Sequence, residues 1–142
     1  MQTDTSPISI LLPRAAPVVP EQRLLLYAIR RIGAHGLNDA HASNALLGTF
    51  GQGYRRPLIL LRAFLTETAR ASKLSIQIAA CCCGRMTRDE IMLIDTLILA
   101  VSDPHAAYQL LATCLGTVDC IGALTSAQAL NQAFGDLGQP LI

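Results

Sequence analysis

At 142 residues, with 51% apolar and only 15% charged residues, the chain has the length of one domain and can bury a core without disulfide or metal staples. That composition excludes a disordered chain. With no Trp, three Phe and three Tyr, the apolar mass is Leu, Ile and Ala, which favours helices over a β-sandwich. The net charge of +1 hides an asymmetry: residues 1–88 hold all eleven Lys and Arg against four acids, a net of +7, while residues 89–142 hold six acids and no Lys or Arg, a net of −6.

Residues 1–19 contain Pro7, Pro13 and Pro17 and read as an extended arm with one apolar run, Ile8 to Leu12. No basic segment precedes that run, so it is a poor secretory signal. The domain itself is expected over residues 20–142. Pro20 opens a first helix to about His35, with Leu25, Ala28, Ile29 and Ile32 as its apolar stripe and Arg23, Tyr27 and Arg30 on the opposite side. Gly36 stops it. Asn38 caps a second helix with Asp39 in its first turn, running to about Phe50, where Gly51-Gln52-Gly53 interrupts. A third helix starts at Pro57 and runs to about Ser72, burying Leu58, Leu61, Phe64, Leu65 and Thr68.

Beyond it, Leu74, Ile76, Ile78 and Ala80 alternate with Ser75, Gln77 and Ala79, which predicts a short strand. A lone strand leaves its backbone groups unsatisfied, so Ile8–Leu12 is the expected partner. Thr87 and Glu90 form a capping box that opens a fourth helix over about 88–102. Asp103-Pro104 opens a fifth, to about Leu115, and Thr125 or Ser126 caps a sixth, to about Phe134. The expected fold is all-α, a compact bundle of about six helices with at most one short two-stranded β element. No stretch is apolar for long enough to span a bilayer; the nearest, Ile91 to Val101, is short and carries Asp95. Asp95 is expected on the solvent side of its helix or paired with an arginine of the basic half.

Cys81-Cys82-Cys83, directly before Gly84-Arg85-Met86-Thr87-Arg88, is the most unusual feature of the chain. Helix N-termini and nearby cations are the surroundings in which cysteines become nucleophiles and metal ligands. In an extended segment Cys81 and Cys83 face one way and Cys82 the other. Cys81 and Cys83 are therefore the candidate metal ligands, with His35 and His41 to complete the set, and Cys114 and Cys120 as further completers; zinc is the metal such a set suits. Alternatively, neighbouring thiols act as attacker and resolver in redox chemistry. Set against both is plain packing, since cysteine is a small and often buried hydrophobe. Packing is the favoured reading, because no second spaced cysteine pair appears. It predicts that three serine replacements cost about 1–3 kcal/mol each.

Other constellations are weaker. His35-x-x-x-Asp39-x-His41 has the look of a metal triad, but Gly36 and Asn38 imply a helix break within it, so His35 and Asp39 read as ordinary dipole partners at helix ends. The glycine-rich turn before Arg55-Arg56-Pro57 makes Arg55 and Arg56 candidate anion-binding residues at a helix start. It lacks the Lys-Ser/Thr pair of a phosphate loop, and glycines ending one helix before another explain it as well. There is no G-x-S-x-G and no H-E-x-x-H, so nothing here argues for an enzyme.

The segments GAHGLNDAHA (33–42), FGQGYRRPLILLRAF (50–64) and IQIAACCCGRMTRDE (76–90) resemble those of small uncharacterised alphaproteobacterial proteins, grouped as a domain of unknown function. The resemblance covers residues 20–115. It implies a bacterial cytosolic protein with the triple cysteine as its marking feature, and it assigns no role to any residue. The leading functional expectation is a non-catalytic helical module that binds another protein or itself, because residues 104–135 carry one formal charge, Asp119, and should be buried or lie in an interface. A cysteine-based metal or thiol-redox protein is the alternative. A nucleic-acid-associated regulator comes third, since the basic half lacks any recognisable reading motif. No cofactor is expected unless the cysteines hold zinc. The odd cysteine count and adjacent thiols point to the cytoplasm.

Overall fold

The computed structural model describes residues 14–142. Proline and glycine punctuation sets most of its helix ends. Pro20 lies in the first turn of α1 (Pro20–His35), which stops where Gly36 takes φ 101° and returns its N–H to the Ile32 carbonyl. The Asp39 carboxylate caps α2 (Ala40–Phe50), accepting from Ala42 N at 2.9 Å. A turn of 3-10 helix (Gly51–Tyr54) leads directly into α3 (Arg55–Ala71). The capping box opens α4 (Arg88–Leu99), Asp103 caps α5 (Pro104–Leu115), and Gly116 ends α5 in the left-handed region. The last helix, α6, spans Ile121–Asp136.

These helices pair as α3 on α6, α4 on α5 and α1 on α2, with α1 and α6 both reaching α4. Phe64, Phe134, Leu25, Ile29, Leu61, Leu93, Leu97 and Leu111 fill the centre. Each such side chain contributes about 1.5–3 kcal/mol by leaving water, more than any single cap, so packing decides the fold and capping trims the ends. Phe50 meets Phe134 edge-on, with ring centroids 4.8 Å apart. The shortage of charge after residue 104 has its explanation within the chain. Ala107, Leu111, Cys114 and Leu115 of α5 and Ala123, Leu124, Ala127, Leu130, Ala133 and Phe134 of α6 are all buried in the chain's own core.

The all-α class holds, with one two-stranded β element among the described residues, and that element lies elsewhere than expected. β1 (Arg14–Ala15) pairs antiparallel with β2 (Arg85–Met86), Arg14 opposite Met86, and Ala16 N donates to Gly84 O at 2.9 Å. Residues 74–80 form no strand, and Ile8–Leu12 lies outside the described residues. The backbone of 74–80 finds its partners at the start of α4 instead. Gln77 N donates to Asp89 Oδ2 at 2.7 Å, Ala79 N to Glu90 Oε2 at 3.1 Å, and Thr87 Oγ1 donates to Gln77 O at 2.7 Å. Side chains thus do for this segment what a neighbouring strand would have done. The other difference is α6, which begins at Ile121, a turn ahead of Thr125. Thr125 Oγ1 donates to the Gly122 carbonyl and caps nothing, while Ala123 and Leu124 extend the buried face toward the N-terminus.

Attraction between the oppositely charged halves is visible as ion pairs. Arg14–Asp95, Arg30–Glu90 and Arg56–Asp136 each join a cation from before residue 89 to an acid from beyond it. Asp95 is accordingly the partner of Arg14, at 3.3 Å. No helix among the described residues is long and apolar enough to cross a membrane.

Candidate functional site

Arg30 and Glu90 form a fully buried ion pair, with side chains 2% and 0% exposed. Arg30 Nε donates to Glu90 Oε2 at 2.8 Å and Nη2 to Oε1 at 3.0 Å, a two-point pairing. The remaining donors of the guanidinium reach two main-chain carbonyls, Nη1 to Cys83 O at 2.7 Å and Nη2 to Arg85 O at 2.8 Å. Glu90 in turn accepts from Thr87 N at 2.8 Å and from Ala79 N at 3.1 Å. Burial alone would lower the basicity of Arg30. The hydrogen bond and charge of Glu90 outweigh it, with Cys83 and Cys81 adding a little, so Arg30 holds its proton more tightly than usual. A buried pair is a safe arrangement only when its polar atoms find partners, and here each nitrogen of Arg30 and both oxygens of Glu90 have at least one, with the backbone on both sides of the cysteines among them.

Between those anchor points, Cys83 N donates to Ala80 O at 3.0 Å and closes a turn with Cys81 and Cys82 at its two corners. Cys81 and Cys82 are exposed and Cys83 is half-buried. This overturns the expectation that the three thiols pack in the core. The main chain needs its carbonyls at Arg30 and its amide at Ala79 near Glu90, so it is the backbone of the segment that turns inward and the thiols that turn out. A concavity of about 260 Å³ lies against the turn, lined by Ala16, Arg23, Leu26, Tyr27, Arg30 and residues 81–84. Arg23, Tyr27 and Arg30, expected on the outward side of α1, are thus the face of α1 that the cysteine turn covers.

The proposed metal ligands are not brought together. His35 and His41 are exposed, on the last turn of α1 and the first turn of α2. The cysteine turn lies instead against the middle of α1, at Arg23 to Arg30. Among the described residues no three His, Cys, Asp or Glu side chains form a group able to hold a metal ion. Cys114 and Cys120 are buried too deeply to serve as completers. Burial, with Asp89 nearby, pushes the Cys114 thiol up to about 12. Burial and Asp119 push Cys120 in the same direction. Asp39 pairs with Arg31 at 3.0 Å as well as capping α2. The Arg31 hydrogen bond, aided by the Ala42 cap and opposed by burial, holds its carboxyl down at about 2.

Of the two candidate anion-binding residues, Arg56 is committed to Asp136 at 2.9 Å, and Arg55 is exposed at the first position of α3. The site residues missed by the sequence reading are Arg30 and Glu90. Glu90 was visible as the capping-box acid, but its second role depends on α1 crossing the start of α4, and no local spacing encodes that crossing.

Fold and site together define an all-helical domain that presents a cysteine turn on a buried arginine–glutamate anchor. The chain belongs to DUF6628, a family of unknown function whose model matches residues 4–137. No curated protein and no solved structure matches the chain.

Proposed function

We propose that the chain is a thiol–disulfide redox protein whose working pair is Cys81 and Cys83. The observation that carries this reading is a turn with Cys81 and Cys82 exposed and Cys83 half-buried, tied from beneath by hydrogen bonds from the buried Arg30 to the Cys83 and Arg85 carbonyls. Neighbouring Cα atoms stand about 3.8 Å apart, below the roughly 4.4–6.8 Å that a disulfide spans, so adjacent cysteines pair only under strain. Cysteines two apart across a turn fall within reach. Cys81, exposed, attacks a sulfur of a disulfide substrate as its thiolate, the substrate S–S bond breaks, and one half leaves as a thiol. Cys83 then attacks Cys81 Sγ, releasing the second half. Two electrons and two protons pass from the protein to the substrate, and a reducing thiol reverses the change. A cytoplasmic location suits thiols left this exposed, since a reducing compartment keeps them ready.

The dispersal of His35, His41, Cys114 and Cys120 supports thiol exchange over a zinc site, and the internal pairing of Arg14, Arg30, Arg31, Arg56 and Arg70 weakens the case for a nucleic-acid regulator. Self-association is a second proposal. Its support is the exposure of Val118 and Ile121 at the approach to α6, 78% and 64%, and light scattering tests it, a species near the chain mass of 15.2 kDa speaking against it.

The test of the redox reading is mass spectrometry after exposure to a small disulfide. Trypsin releases residues 74–85 as one peptide holding Cys81, Cys82 and Cys83 alone. A loss of two hydrogens from that peptide, abolished by Cys81→Ser and by Cys83→Ser but kept in Cys82→Ser, is the expected result. A peptide that stays reduced, or that stops at a mixed disulfide, rejects the mechanism.

A further inference from the structure

The concavity beside the turn carries one charge that no described residue offsets. Arg30 is neutralised by Glu90 and Arg31 by Asp39. Arg23 lines the concavity, its guanidinium forms no hydrogen bond or ion pair with any described residue, and among the described residues no carboxylate lines the space with it. Tyr27, half-buried, adds a phenolic hydroxyl to the same wall, and Leu26 and Ala16 supply apolar surface. At about 260 Å³ the space is smaller than the 300–1,000 Å³ typical of pockets that enclose a drug-sized ligand. A space of that size holds one half of a small disulfide.

Resting on the thiol–disulfide reading, we infer that the preferred substrate is a low-molecular-weight disulfide bearing a carboxylate or other anion near its S–S bond, docked on Arg23 with a sulfur over Cys81. The guanidinium offers a planar pair of donors to a carboxylate, and the apolar wall accepts the carbon chain between that group and the sulfur. The charge acts on encounter and orientation, while bond making and breaking stay with the two thiols.

The experiment compares rates of Cys81–Cys83 disulfide formation, read by acid quench and the mass of peptide 74–85, with three oxidants. These are the dianionic alkyl disulfide dithiodipropionate, the dication cystamine, and insulin as a folded protein disulfide, none of them activated by an acidic leaving thiol. Wild type is expected to favour the dianion, with a preference that shrinks as salt is raised, and to react slowest with insulin. Arg23→Glu is expected to lower the dianion-to-dication rate ratio about tenfold, and Arg23→Gln to fall between. A ratio unmoved by Arg23→Glu overturns the anion assignment while leaving the redox mechanism standing. Insulin reacting as fast as the dianion overturns the small-substrate assignment. No disulfide with any oxidant rejects the underlying mechanism and the inference with it.

Discussion

Removing the Arg30 guanidinium strands a carboxylate with no access to water and frees two carbonyls that border the cysteine turn. Arg30→Met is therefore expected to destabilise the fold by about 3–5 kcal/mol in urea unfolding. Arg30→Lys keeps the charge but cannot reach two carboxylate oxygens and two carbonyls with one ammonium, so it should recover only part of that loss. The cysteines behave in the opposite way. Because Cys81 and Cys82 are exposed and Cys83 half-buried, replacing all three with serine should move stability by less than about 0.5 kcal/mol per site. A thiol-reactive dye should label Cys81 and Cys82 rapidly, Cys83 more slowly, and Cys114 and Cys120 only on unfolding, with the two buried thiols further protected by their raised pKa values. Asp39 contributes to acid stability. Its carboxyl titrates at about 2 in the folded protein against 3.8 as the ordinary value, so its contribution is complete above pH 4 and lost as pH falls toward 2. Asp39→Asn, which preserves a capping oxygen, should flatten that part of the stability-versus-pH curve.

At the level of elements, Gly116 is the clearest test of a helix end. It ends α5 at φ 69°, and a Cβ there would stand 2.7 Å from Leu74 Cγ. Gly116→Ala is expected to cost about 1–2 kcal/mol from the left-handed backbone alone, with the Leu74 contact adding to it, as read in thermal or urea unfolding. The same elements show what local sequence encodes. Thr87 with Glu90, Asp103 with Pro104, and Gly36 located helix ends because a cap is chemistry between residues a few positions apart. Of the alternation at Leu74–Ala80 only Ile76 and Ile78 turn toward the core, while Leu74 and Ala80 are exposed. What it did not carry was the identity of the hydrogen-bond partner, which comes from α4 side chains. The start of α6 was misplaced because Thr125 has the chemistry of a cap, while the buried face at Ala123 and Leu124 continues the helix past it.

For the molecule as a whole, burial of the triple cysteine was the natural expectation from residue type. Its exposure follows from Arg30 and Glu90 meeting across sixty positions of sequence, a relation set by how α1 and α4 cross. The charge asymmetry held part of that information. It indicated that the halves attract, and Arg30–Glu90 is the buried instance of three such pairs. It did not say which arginine would go inside.

The hydrogen bonds around Glu90 also bear on how the protein breathes. The amides of Ala79, Thr87 and Glu90 depend on one carboxylate and its capping partner, and Ala16 is tied to Gly84 just beyond the cysteines. The Ala79 and Thr87 bonds end on the Glu90 carboxylate itself, and those of Glu90 and Ala16 border the Arg30 anchor. They should therefore trade hydrogen for deuterium as a single cooperative unit, at one shared free energy of opening, whereas surface turns elsewhere exchange independently. Oxidation of the neighbouring thiols that strained the turn would accelerate all four amides together, making their common exchange rate a reporter of the redox state at the surface.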